Sequence, residues 1–263
     1  KKILEKVSSV LDSSIFILGP EVKKFEEAFA KIVGTKYAIG LNSGTDALLF
    51  SLKIVGIREG DEVITVANSF IATANVVKLL GATPIFVDIK DNLLIDERKI
   101  ENKITEKTRA IIPVHLTGKP VNMDKIMKIA GKYNLRVIED CAQAIGAMWK
   151  EKNVGSFDIG AFSLHPLKNL SACGDGGVIT TNDEDIYEKI LLLRNHGLKN
   201  RNYQEFPGYN SRLDELQAAI LNEKIKKLNE ITNKRRENAK YYKKLFDQRK
   251  ITGVKYVPYD EEG

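Results

Sequence analysis

The stretch "RAIIPVHLTGKPVNMDKIMKIAGKYNLRVIED", residues 109–140, decides the fold. It opens on a β-branched apolar run, Arg109 to His115, passes through a segment of helical period at 122–133, and returns to a second apolar run, Leu135 to Asp140. Neither run alternates strictly with polar residues. Such runs suit strands covered on both faces, and strand-helix-strand order selects parallel pairing with a right-handed crossover. The same alternation extends both ways along the chain. Strand-like runs recur at "KYAIGL" (36–41), "DEVITV" (61–66), "TPIFVD" (83–88), "IGAFSL" (159–164) and "GGVITT" (176–181), with helical periods at 44–55, 69–80 and 96–104. Together these predict an α/β fold with a mostly parallel sheet of about seven strands between helices. The runs at 159–164 and 177–181 follow one another with no helix between, which predicts a departure from simple winding there.

Composition narrows the class. A chain of 263 residues with 43% apolar content can bury a substantial core. The net charge of +6 comes from 41 basic and 35 acidic residues spread widely, which suits phosphorylated small molecules better than nucleic acid. Two cysteines, Cys141 and Cys173, stand far apart without metal-ligand spacing, so a reducing compartment is expected and no metal site. Both are expected to pack as small apolar residues. No stretch approaches the roughly 20 apolar residues of a membrane span. The opening "KKILEKVSSVL" lacks a signal-peptide apolar region, which predicts a cytoplasmic protein.

From Leu213 the pattern changes to one long helix, with Leu221, Ile225, Leu228 and Ile231 forming an apolar stripe and Lys234 to Arg236 a solvated face. After it comes the strand-like "ITGVKYVPYDEEG". The organisation read from this is a large α/β domain at 1–212, a connecting helix at 213–247 and the start of a small, incomplete C-terminal domain at 248–263.

In parallel α/β sheets ligands bind outside the carboxyl ends of the strands. After the first strand, "GLNSGTDALLF" supplies capping residues, Gly44 for close backbone approach and Thr45 as a helix begins. It reads either as a phosphate cradle or as an ordinary capped turn. After the second, Phe70 begins a helix and is either a core aromatic or a stacking surface for a flat ring. The fifth run ends on Glu139 and Asp140; a carboxylate there needs a cation or hydrogen-bond donors, unless it is simply a helix cap. Gln143 follows three residues on. The sixth run leads through Ser163, His165 and Pro166 to Lys168, followed by "GDGG" at 174–177. A lysine in such a place can become a neutral, nucleophilic amine, or it is a surface loop lysine.

In this order the pieces "ILGPEVKKFEEAFA", "NSGTDAL", "IATAN", "PVHLTGKPVNM", "IEDCAQAIGA", "FSLHPLKNL", "GDGG", "RNHG" and "GYNSRLDELQAAIL" resemble the DegT/DnrJ/EryC1/StrS sugar aminotransferases, a branch of the fold-type I pyridoxal-phosphate enzymes. The resemblance covers nearly the whole chain, and family members continue into a further C-terminal stretch that completes a small domain. It implies that Lys168 forms the internal Schiff base with pyridoxal 5'-phosphate and that Asp140 pairs with the pyridine nitrogen. It places Gln143 near the ring hydroxyl and Phe70 on the ring face. Gly44, Thr45 and Ser163 become phosphate contacts, with Asn210 donated to the phosphate by the opposite subunit of a homodimer, and Arg212 contributes to the substrate pocket. The implied reaction moves an amino group from L-glutamate to a nucleotide-diphosphate-linked keto-sugar in two half-reactions, for lipopolysaccharide, O-antigen or a related glycan. Relatives that dehydrate sugars carry histidine where this chain has Lys168, which favours transamination. The rival readings are a pyridoxal-phosphate dehydratase, a transaminase of small amino acids, or a regulatory homologue without catalysis. His165 is expected to be structural or substrate-facing, and His196 in "RNHG" to pack in the core.

Overall fold

The computed structural model describes residues 1–249 and Gly253. Seven strands form one sheet: β1 (Tyr37–Leu41), β2 (Glu62–Val66), β3 (Thr83–Val87), β4 (Thr108–Ile111), β5 (Arg136–Asp140), β6 (Ile159–Ser163) and β7 (Gly177–Thr181). Their spatial order is β1-β7-β6-β5-β4-β2-β3. β2, β3, β4, β5 and β6 pair in parallel, whereas β7 runs antiparallel to both of its neighbours, β6 and β1. The expected departure at 159–181 is therefore this single reversed strand, reached through a loop and not a helix.

Period-two alternation sends successive strand residues to opposite faces, and both faces are apolar. Ile39, Val63, Ala110, Ile138, Ala161 and Ile179 join one core with α3 (Gly44–Ile54), α4 (Ala72–Leu79) and α6 (Glu184–Leu193). Their chain neighbours face the other way. Ile64, Ile111 and Val137 pack with α5 (Met123–Tyr133), and Ala38, Phe162 and Val178 pack with α2 (Pro20–Val33) and α7 (Glu215–Lys224). Side chains cap these helices: Ser43 Oγ accepts from Asp46 N on α3, Asn122 Oδ1 from Lys125 N on α5, and Asp183 Oδ1 from Ile186 N on α6. The first amides of α2 are served from afar, since the buried Glu215 carboxylate accepts from Glu21 N and Val22 N, both at 2.9 Å.

Two expectations change. Residues 96–104 form two 3-10 turns, Glu97–Lys99 and Glu101–Lys103, because Asp96 turns its carboxylate back onto Arg98 and closes a tight turn in place of a helix. The helix expected over 213–247 is two, α7 and α8 (Leu228–Arg249), joined by a 3-10 turn at Ile225–Lys227. Leu221 and Leu228 are buried, Ile225 and Ile231 half-buried, so the stripe packs only along the first part of this segment. Beyond it the Lys234–Arg236 face is exposed, with Lys234 paired to Glu230. The expected small-domain start at 248–263 lies outside the described residues apart from Gln248, Arg249 and Gly253. No described helix is long and apolar enough to cross a membrane.

Candidate active site

The carboxyl ends of β1, β2, β5 and β6 and the start of the reversed β7 lie along one edge of the sheet, so the segments that follow each strand converge. At the end of β1 the chain turns through Asn42 and Ser43 into α3. Ser43 occupies the Asp46 amide, while the amides of Gly44 and Thr45, in the first helical turn, have no intrahelical acceptor. This turn sits against the end of β6: a Cβ on Gly44 would lie 2.7 Å from Ser163 Cβ and 2.9 Å from Ser163 Cα. A Cβ on Gly177 would run into the Ser43 carbonyl. Two glycines thus let backbone, helix N-terminus and the Ser163 hydroxyl meet, an arrangement of donors suited to an anion. The far end of the chain closes the turn. Ser211 Oγ donates to Asn42 Oδ1 at 2.9 Å, with Asn210 exposed on one side of it and Arg212 on the other, bonded to Asn195 Oδ1 at 3.0 Å.

At the end of β5, Asp140 is 5% exposed and makes no ion pair among the described residues. It shares its strand face with Ile138, toward α4, where Thr73 Oγ1 donates to its Oδ2 at 2.8 Å. Ala142 N donates to its Oδ1 at 3.1 Å. Burial pushes its carboxyl above the ordinary range, and the Thr73 and Ala142 hydrogen bonds oppose that rise, as do His115 and the nearby charge of Lys168. Gln143 Oε1 accepts from Thr117 N at 2.9 Å, which leaves its amide nitrogen as the outward donor. Thr117 has φ 58°, a costly conformation for a β-branched residue, and this hydrogen bond is part of what holds it.

Lys168 sits half-buried in the loop after β6, and its Nζ makes no hydrogen bond or ion pair among the described residues. The loop is firmly set: Leu164 N bonds Gly176 O, Ala172 N bonds Leu164 O and Lys168 N bonds His165 O. From α7, Gln217 exchanges two hydrogen bonds with the Cys173 backbone and Lys224 Nζ donates to Ser171 O. A free amine on a clamped loop, within electrostatic reach of a buried carboxylate, is the central feature of this edge. Phe70, in the turn before α4, is 69% exposed. It is therefore no core aromatic, and its ring is free to cover a flat ligand.

Solved structures share this architecture. That of S. venezuelae DesV in complex with a ketimine intermediate superposes with a TM-score of 0.85 at 40% identity, over 87% of this chain and 62% of that one. The model of the DegT/DnrJ/EryC1/StrS aminotransferase family matches residues 1–262. The chain belongs to that family. Its fold is accordingly fold type I of the pyridoxal-phosphate enzymes. Within the family it is 49% identical to a dTDP-3-amino-3,6-dideoxy-alpha-D-galactopyranose transaminase of Aneurinibacillus thermoaerophilus, over 92% of this chain and 67% of the relative. It is 47% identical to a UDP-N-acetyl-3-dehydro-alpha-D-glucosamine 3-aminotransferase of Acidithiobacillus ferrooxidans, over 92% and 66%. The chain thus spans about two thirds of the length of these relatives.

Two side-chain expectations are corrected. His196 is exposed with φ 60°, since its backbone bridges Tyr209 and Gln204 at a tight corner and leaves the ring outside the core. Cys173 is exposed on the clamped loop, unlike Cys141, which is buried and whose thiol burial pushes well above the usual range. Thr73 and the α7 clamp went unread in the sequence. A threonine opening a helix opposite an acidic strand end is a faint signal for the first, and nothing local signals the second.

Proposed function

We propose that this chain binds pyridoxal 5'-phosphate and transfers an amino group from L-glutamate to a nucleotide-diphosphate-linked keto-sugar. The observation that carries this reading is Asp140: a buried carboxylate with no ion pair among the described residues, within electrostatic reach of a lysine amine that also makes none there, at the edge where a helix N-terminus can take a phosphate. The residues fit the cofactor. Gly44, Thr45 and Ser163 hold its phosphate, Phe70 covers its ring, Gln143 offers an amide donor to the ring hydroxyl, and Lys168 anchors it covalently. When bound, pyridoxal phosphate supplies an electron sink for the charge left as a proton leaves the carbon bearing the amine.

The rest is done by this chain's own groups. Asp140, whose two donors favour its carboxylate form, would keep the heterocyclic nitrogen of the bound cofactor protonated. Lys168 Nζ would serve as the base and acid that carries a proton between the amine-bearing substrate carbon and the cofactor carbon across the shared nitrogen, its clamped loop keeping that amine in place between the two transfers. Arg212 contributes to the pocket for the sugar nucleotide. Asn210, exposed beside Ser211, reaches the phosphate of a second copy in a homodimer, and the setting is cytoplasmic synthesis of lipopolysaccharide, O-antigen or a related glycan. Residues 1–212 act as the cofactor domain, 213–247 as the connection and 248–263 as the start of a small domain. A lysine at 168, where sugar dehydratases have histidine, supports amino transfer over dehydration, and a chain serving only as a regulator needs no such amine.

The test is to incubate the protein with L-glutamate and UDP-, dTDP- or GDP-linked keto-sugars, beside simple keto acids, and identify the aminated product by mass and NMR. Lys168→Ala is expected to lose both turnover and covalent attachment of the cofactor. Normal transamination by that variant refutes the assignment.

A further inference from the structure

We propose that a two-hydroxyl relay, Ser69 to Thr73 to Asp140, positions the Asp140 carboxylate and keeps it in its charged form, making Thr73 a positioning residue of this site. The direction of the relay follows from proton counting. An ionised carboxylate only accepts, so Thr73 Oγ1, 2.8 Å from Asp140 Oδ2, donates its one proton there. Ser69 Oγ lies 2.8 Å from the same Thr73 oxygen and must therefore be the donor to it. Each bond polarises the next in a buried setting.

The placement is unusual for a helical threonine, whose hydroxyl ordinarily returns to a carbonyl of the preceding turn. Here it points across to β5. Thr73 is 1% exposed, and Ser69 is half-buried, so the relay runs inward from the rim of the site. Thr73 N also bonds Phe70 O at 3.1 Å, so one residue fixes both the carboxylate and the turn that carries the exposed aromatic ring. With no ion pair to Asp140 among the described residues, the hydrogen-bond donors come first in opposing the cost of burying its charge, ahead of His115 and Lys168. The titratable groups within electrostatic reach of it are His115 from the β4–α5 connection, Lys168 from the loop after β6 and the adjoining Cys141 thiol. None of their side chains donates a hydrogen bond to its carboxylate among the described residues.

The experiment has two arms, of which only the second rests on the cofactor reading. In the cofactor-free protein, isotope-edited NMR of the Asp140 carboxyl carbon follows its titration. Thr73→Val, close to isosteric, is expected to raise the ionisation midpoint by about one pH unit, a tenfold change, as for the loss of one hydrogen bond to a charged group. Thr73→Ser is expected to restore the midpoint, which a purely packing role would not do. Ser69→Ala shifts it the same way by less, and carries the test if Thr73→Val fails to fold. In the second arm, pyridoxal phosphate is expected to bind about tenfold more weakly to Thr73→Val than to wild type. An unchanged midpoint in both Thr73→Val and Ser69→Ala overturns the relay. Failure of the wild-type protein to bind pyridoxal phosphate, with the midpoint shifts intact, overturns the proposed function and leaves the relay standing.

Discussion

Glu139 and Asp140 are adjacent, acidic and buried, yet they face opposite sides of the sheet and have opposite kinds of surroundings. On the α5 side, Glu139 accepts from Gly155 N and Phe157 N, both at 2.8 Å, and from His115 Nε2 at 3.2 Å. His115 Nδ1 is taken by Val121 N, so its Nε2 carries the proton. The ligating atoms of His115, Glu139 and Cys141 lie within 4.8 Å of one another, but both imidazole nitrogens and both carboxylate oxygens are committed to protein hydrogen bonds. That carboxylate ties loops to a strand. On the α4 side, the Asp140 carboxylate has two donors and no ion pair among the described residues, and burial shifts its carboxyl upward. A third buried acid shows what a cation does: Asp96 is held by Arg98 through two 2.8 Å bonds and its pKa falls to about 2. A buried carboxylate that lacks what its neighbours have is the one positioned to meet a ligand.

The contrast can be broken most severely at Asp140. Asp140→Asn keeps the shape and removes the charge, and is expected to lower amino transfer about a thousandfold in steady-state assays. In the cofactor-free protein the same substitution changes the pH dependence of stability. Asp140 in the fold binds a proton that the unfolded chain releases above its ordinary value of 3.8. Wild-type stability therefore falls as pH rises from there through the raised native value, and urea midpoints across that window are expected to flatten in Asp140→Asn. Glu139→Gln sets an amide group against three donors. It is expected to cost about 3 kcal/mol by urea unfolding while leaving turnover per folded molecule unchanged. Gly44→Ala forces Ser163 and the α3 turn apart, and is expected to weaken cofactor binding by about 2 kcal/mol, read by equilibrium titration. Asp96→Ala removes the cap of the turn that follows the edge strand β3, three strands away from β5 in the sheet, and is expected to cost only about 1 kcal/mol of stability. Because the Asp96 pKa is depressed, its contribution is present above the ordinary carboxylate pKa and disappears as pH falls through about 2.

The sheet was legible because every strand except the edge strand β3 is buried along most of its length and so appears as a mostly apolar run, such as "EVITV" or "IGAFS". Residues 96–104 had a helical period too, but spacing does not report that Asp96 and Glu97 are buried and paired, which favours tight turns. Of the site, an acid ending a strand at Asp140 and a lysine after a proline-broken one at Lys168 were visible locally, but only the family resemblance set them apart from a helix cap and a surface lysine. What the pair "Glu139-Asp140" could not disclose is which acid has its partners supplied from residues 115, 155 and 157. Those contacts are set by topology, as are Thr73 meeting β5 and Gln217 gripping the lysine loop.

The pairing of β1 has a consequence for the order in which the molecule can be built. Its sole sheet neighbour among the described residues is β7, more than a hundred residues later, and its terminal turn is secured by Ser211. As the chain emerges from the ribosome, the strand made first must wait, with both edges unpaired, until β7 arrives, and the turn after it waits longer still. A nascent polypeptide arrested before residue 177 has the parallel strands but no place for β1, so ligand binding is a property that only late synthesis confers.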